Sequence, residues 1–154
     1  MGAKFIIPGL YEHHDLNFKF LQLMQEKPEM FYDDISIGAV YGSFQFCIFD
    51  GGRVFTNYRH TTKEEIEEIT HIYNDVYGVP VRLVMTNTEL TPEEYYNRFG
   101  NVILKSCEND INEIVVNNEG FEQYVRETYP KYQFISSTTK CLSTPSAFLD
   151  ELNK

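Results

Sequence analysis

The stretch Val79-Pro80-Val81-Arg82-Leu83-Val84-Met85 decides the fold class. It is short and almost wholly apolar, the pattern of a buried strand. Helix signals stand on both sides of it. Upstream, Thr62-Lys63-Glu64-Glu65 forms a capping box in which Thr62 satisfies a free amide and Glu65 reaches back. Ile66, Ile69, Ile72, Tyr73 and Val76 make the apolar stripe of the helix it opens, and Gly78 supplies a stop. Downstream, Thr91-Pro92-Glu93-Glu94 is a second capping box with proline at the first helical position. Tyr96, Phe99, Ile103 and Cys107 give its helix an inner face.

Outward from this centre the alternation repeats. Lys4-Phe5-Ile6-Ile7 is a strand stopped by Pro8-Gly9, and Leu16, Phe20, Leu23 and Met24 mark a helix that Asp15 is placed to cap and Pro28 ends. Ile35 to Tyr41 is the second strand, Ile111 to Val116 the fourth and Tyr132 to Ile135 the fifth. A helix from Phe121 to Tyr129 separates the last two, and Thr144-Pro145 opens a final helix carrying Phe148, Leu149 and Leu152. The predicted strands therefore lie near residues 4–8, 35–41, 80–86, 112–117 and 132–136. One interruption follows the second strand. Phe44, Phe46 and Ile48 alternate with Gln45 and Cys47 before Asp50-Gly51-Gly52-Arg53, which reads as a β-hairpin or an ordered loop.

Repeated strand–helix units imply a single α/β domain over 1–154, with a mainly parallel sheet covered by helices. Two architectures fit. One is a partial (βα)8, TIM-barrel-like arrangement of five βα units, a truncated barrel. The other is a flavodoxin-like open sheet. A half-barrel would leave its outer strands without neighbours, and a homodimer is the expected relief.

Composition bounds the function. Among 154 residues, 42% hydrophobic and 23% charged is a globular balance, so disorder is not expected. Thirteen basic against 23 acidic residues give a net charge of −10, unsuited to a nucleic-acid backbone or an anionic membrane surface. No apolar run reaches the length of a membrane span, and the N-terminus lacks a leader pattern. Cys47, Cys107 and Cys141 are odd in number and widely spaced, so neither a disulfide framework nor a zinc site is written, and a reducing, cytoplasmic setting is expected.

In α/β sheets of either kind, ligands meet the carboxyl ends of the strands. Those ends carry Glu12-His13-His14, Tyr41-Gly42-Ser43, Thr86-Asn87-Thr88, Asn117-Asn118-Glu119 and Ser136 to Cys141. Each is polar, which fits a pocket for a peptide or polar small molecule. The same residue types are also what helix caps require. In the enzymatic reading Glu12 or His13 is the acid/base. Arg53 and Lys140 hold an anionic substrate, and Asn87, Asn117, Ser137 and Thr139 orient it. His13 and His14 point in opposite directions on an extended chain, so no metal is expected between them. Asp50-Gly51-Gly52-Arg53 can be read as an anion-binding nest with an arginine clamp, but no lysine-containing phosphate loop accompanies it, which favours a plain turn. Cys141, beside Lys140 and near a helix start, lacks a recognisable base.

Phe5-Ile6-Ile7-Pro8-Gly9-Leu10-Tyr11, Ile37-Gly38-Ala39-Val40-Tyr41-Gly42, Phe46-Cys47-Ile48-Phe49-Asp50-Gly51-Gly52-Arg53, Asn112 to Asn117 and Phe134 to Cys141 together resemble a group of bacterial TIM-barrel proteins. That group is distantly similar to the collagenase-like peptidase family and its iron–sulfur-dependent relatives. The resemblance spans nearly the whole chain and the first five units of such a barrel. It implies a hydrolase-like or degenerate peptidase-like barrel fragment acting on peptides. The cysteine cluster those families carry in the later barrel half has no counterpart here, so no cofactor is expected. The competing expectation is a non-catalytic acidic interaction protein that binds a partner or itself.

Overall fold

The computed structural model describes residues 2–52, 54–56 and 59–154. Five strands, β1 (Ala3–Pro8), β2 (Ile35–Gly42), β3 (Val81–Met85), β4 (Glu113–Val116) and β5 (Gln133–Ser136), form one sheet. Every neighbouring pair is parallel. The helices between and after them are α1 (His14–Glu26), α2 (Lys63–His71), α3 (Arg98–Ser106), α4 (Glu119–Thr128) and α5 (Pro145–Leu152). The strand order is β1-β2-β3-β4-β5, an open sheet with β1 and β5 at its edges. It grows in one direction and contains no order reversal of the doubly wound kind.

With right-handed crossovers, winding in one direction puts the helices on one face. Burial agrees. Val81, Leu83, Met85 and Ile114 are completely buried on that face, and Val116 nearly so. Phe134, in register with Ile114, lies under the Arg126 guanidinium of α4 at 3.9 Å. The Tyr132 hydroxyl donates to the Leu104 carbonyl of α3 at 2.6 Å. On the opposite face Arg82 and Glu113, paired in register across β3 and β4, form an ion pair at 2.5 Å. Beside them lie the half-buried Tyr41, Val115 and Ile135.

The Thr62 capping box forms in full: Glu65 N–H donates to Thr62 Oγ1 at 3.2 Å and Thr62 N–H to Glu65 Oε2 at 2.9 Å. After α2 the chain widens into one π-helical turn over Ile72–Val76 and ends at Gly78, whose φ of +66° is the stop.

Three local expectations are corrected. Asp15 does not cap α1; it lies inside the first turn, and His13 occupies the cap position without a side-chain bond. The Thr91 box closes only a 3₁₀ turn, with Thr91 N–H donating to Glu94 at 2.8 Å. The α-helix starts later, where Asn97 Oδ1 accepts from Gly100 N–H at 2.9 Å. The stretch after β2 is the ordered loop and not the hairpin. Phe44 and Phe49 are fully buried while Phe46 is half exposed, so the loop plugs the top of the core without keeping the alternation of a strand. Its only regular piece among the described residues is a 3₁₀ turn at Ile48–Asp50.

Candidate functional site

The loop after β2 builds a cleft at the C-terminal edge of the sheet. Asp50, itself buried, is its internal anchor. Ser43 Oγ donates to Asp50 Oδ2 at 2.8 Å, and Gly52 N–H to Oδ1 at 2.9 Å. Asn87, just past β3, pins the loop from the other side. Its Nδ2 donates to the Ile48 carbonyl at 2.8 Å, its N–H to the Phe49 carbonyl at 3.1 Å, and its Oδ1 accepts from Glu89 N–H at 3.0 Å. Asn87 therefore positions the loop with its side-chain Nδ2 and its backbone N–H, while its Oδ1 fixes its own turn at Glu89.

The anchored loop encloses about 540 Å³ lined by Gln45, Phe46, Ile48, Asp50, Phe55 and Asn87, among others. Cys47 also lines it and lies 3.8 Å from Met85 Sδ; burial pushes its thiol up to about 12, so no thiolate is available there at neutral pH. Phe46 adopts a φ of +64°, the left-handed region that a bulky residue occupies only when its surroundings force it.

Val54 and Phe55 continue the wall into a second cleft of about 270 Å³ that holds Glu12 and His13 beside Gly42 and Ser43. Glu12 Oε1 accepts from Thr56 N–H at 2.9 Å and from the Thr56 hydroxyl. The hydroxyl bond first, then the backbone bond, holds the Glu12 carboxyl below its ordinary range. At neutral pH it is an acceptor and not a proton donor. His14, next to it, has Nδ1 2.5 Å from the Tyr11 carbonyl and is committed to the turn.

At the far end of the sheet Asn117 Nδ2 donates to Thr139 Oγ1, whose hydroxyl is 2.6 Å from Ser137 Oγ. Ser137 also accepts from Thr139 N–H at 3.2 Å, capping a short 3₁₀ turn. The predicted residues thus fall into three groups along one edge: Glu12 with His13, Asn87 in the loop, and Asn117 with Ser137 and Thr139. Arg53 lies outside the described residues.

Lys140 departs from its expected role as a substrate clamp. Its Nζ is 2.7 Å from Glu122 Oε2 and 2.5 Å from Glu151 Oε1, with its side chain 6% exposed. Two carboxylates saturate it, so it ties α5 to α4. Burial opposes ionisation of both acids. Bonds from Lys140 and Arg126 nevertheless hold Glu122 low, and bonds from Lys140, Lys154 and Ser136 hold Glu151 at about 2.

Sequence reasoning missed Gln45, Ser43 and Asp50. Gln45 stands at a polar position of the alternation, which predicts exposure, yet it is 1% exposed. The left-handed Phe46 turns the chain and reverses that parity. Ser43 reads as one of the polar strand-end residues and Asp50 as a turn residue, and only their mutual bond distinguishes them. Among the described residues no group of three His, Cys, Asp or Glu side chains is placed to hold a metal ion. Nor is any helix among them long and apolar enough to cross a membrane. No family model, no curated protein and no solved structure matches the chain.

Proposed function

We propose that this chain binds a peptide or another polar small molecule at the C-terminal edge of its sheet. The observation that carries the reading is the pair of adjoining clefts there, joined through Val54 and Phe55, with Glu12 and His13 in one and Asn87 in the other. Parallel strands laid down in sequential order bring all five ends to that edge, and the same order supports the likeness to consecutive units of a peptidase-like barrel. The chemistry favours binding over covalent catalysis. Cys47 and Cys107 are buried thiols pushed up to about 12, and Glu12 is held ionised by Thr56. A general-base role for Glu12 or His13 belongs to the same proposal.

The test is a titration of isotopically labelled protein with short di- and tripeptides, followed by backbone amide shifts. Perturbations gathered at residues 9–14, 43–52, 86–88 and 117–119 support the reading. Perturbations scattered over the helices, or none, overturn it.

A second reading, self-association, has its own observation. Phe5 and Ile6 on edge strand β1, and Phe148, Leu149 and Leu152 on α5, are exposed. Light scattering decides it: a monomer at high concentration removes the case for a homodimer.

A further inference from the structure

Gln45 carries a buried amide that the fold uses only by half. Its Oε1 accepts from Arg59 N–H at 3.1 Å, which fixes the orientation of the group and leaves Nε2 as the free end. That nitrogen is buried and has no hydrogen-bond partner among the described residues. An unpaired buried donor is costly and uncommon, so its retention points to an acceptor from outside the chain. Gln45 lines the 540 Å³ cleft, a volume within the ~300–1,000 Å³ of small-molecule sites.

The rest of the lining completes a recognition surface. Phe46 is half exposed in a left-handed conformation, and its ring lies 5.2 Å from that of His60 instead of entering the core. Phe55, Ile48 and Val54 add apolar wall. Asp50 and Asn87 are engaged in holding the loop, as their bonds to Ser43, Gly52, Ile48 and Glu89 show. The net charge of −10 disfavours an anion.

We propose that this cleft takes an uncharged, ring-bearing small molecule whose carbonyl oxygen accepts from Gln45 Nε2, uncovered by a small shift of the cleft wall as the ligand enters, while its ring lies against Phe46 and Phe55. The proposal rests on the reading that the C-terminal edge is the ligand-binding side, and it assigns that edge a cleft and a ligand class. Gln45 reads the acceptor, and the aromatic wall reads the ring.

Benzamide carries both halves of this pattern; toluene carries only the ring and acetamide only the acceptor. In an NMR titration of labelled protein, benzamide is expected to shift the Gln45 side-chain NH₂ resonances and the amides of 44–52 and 54–56. Toluene and acetamide bind about tenfold more weakly, and Gln45→Met loses about tenfold for benzamide while leaving toluene unchanged. Toluene binding as tightly as benzamide, with no effect of Gln45→Met, overturns the proposal. If the variant fails to fold, the Gln45 resonances of the unaltered protein still decide the question. The peptide titration on the same sample separates the two claims. An edge that answers to peptides while 44–56 stays silent to benzamide overturns this inference alone, and silence to both overturns the binding reading as well.

Discussion

Gly100 on α3 faces the Phe49 ring so closely that a Cβ at that position would lie 2.3 Å from Phe49 Cε2. The missing side chain is what lets the loop after β2 insert its ring into the core. Once inside, the ring meets Phe121 of α4 with centroids 4.5 Å apart. The loop that shapes the cleft is thereby fastened to two helices as well as to Asn87.

Gly100→Ala is therefore expected to destabilise the protein by about 1–3 kcal/mol through overpacking, since the neighbour is a rigid buried ring. Phe49→Ala, which empties the site, should cost about 3–5 kcal/mol. Urea unfolding measures both. Combining the two changes relieves the clash, so a double variant as unstable as the sum of the single ones would show that the contact does not exist in solution.

At the opposite edge of the sheet, fully buried Asn112 joins β3, β4 and α3. Its Oδ1 accepts from Val81 N–H at 2.7 Å and from Asn74 Nδ2 at 2.9 Å. Its Nδ2 donates to Asn74 Oδ1 at 3.0 Å and to the Cys107 carbonyl at 2.8 Å. Asn112→Leu keeps the volume and orphans several buried polar groups, each worth ~1–3 kcal/mol, so a loss of about 3 kcal/mol or more is expected. Asn112→Asp retains the acceptor oxygens but loses both donations, to Asn74 Oδ1 and to the Cys107 carbonyl, and buries a carboxylate against those two oxygens, so at neutral pH it should cost at least as much as the leucine variant. Chemical denaturation of the pair checks the order.

These contacts mark where sequence reading succeeds and where it stops. The five strands were legible because their signals are local: an apolar run, a Pro-Gly stop at Pro8-Gly9, a Thr62–Glu65 capping box. The observed bounds, such as Ile35–Gly42 against the predicted 35–41, differ only at the ends. The position of the polar residues at one edge followed from parallel strands alone. What they do there did not, because it depends on partners distant in sequence. Lys140 meets Glu122 and Glu151, separated by 18 and 11 residues. Asn87 meets Ile48, 39 residues away. The loop over 43–52 was illegible for a different reason: one positive φ at Phe46 breaks the period-two rule on which the reading of Gln45 depended.

The ion-pair cluster around Lys140 makes the attachment of α5 sensitive to acid. The folded-state values of Glu122 and Glu151 lie below the ordinary 4.5, that of Glu151 at about 2. Depressed carboxyls bind protons more readily in the unfolded chain. Their contribution is therefore fully present above about pH 4.5 and is lost as the pH falls through the folded values. The urea midpoint should drop between about pH 5 and about pH 2, and less in Glu151→Gln. Lys140→Met, which leaves Glu122 to Arg126 and Glu151 to Lys154 and removes the cation that joins the two acids, should cost roughly 1–3 kcal/mol at neutral pH. Lower hydrogen-exchange protection in 147–152, measured against the unfolded chain at the same pH, locates the change. An acid response identical in wild type and Glu151→Gln would assign it elsewhere.

The left-handed conformation of Phe46 gives a comparison of two substitutions at one position. Phe46→Gly and Phe46→Ala both remove the ring, which is half exposed. They differ in the Cβ, and at a φ of +64° that atom is the source of strain. Glycine brings extra entropy to the unfolded chain, an opposing effect of ~0.5–1 kcal/mol, against ~1–2 kcal/mol of relieved strain. Phe46→Gly should thus be more stable than Phe46→Ala by about 1 kcal/mol. At an ordinary negative φ the order reverses, so an alanine variant as stable as the glycine one would mean that the loop does not hold this conformation in solution. Ligand binding supplies the second half of the comparison. Both variants lose the aromatic wall beside Gln45 and should bind benzamide equally weakly, even though one restores stability. That separation of stability from binding is what distinguishes a ring held out for a ligand from a ring that merely failed to find a place in the core.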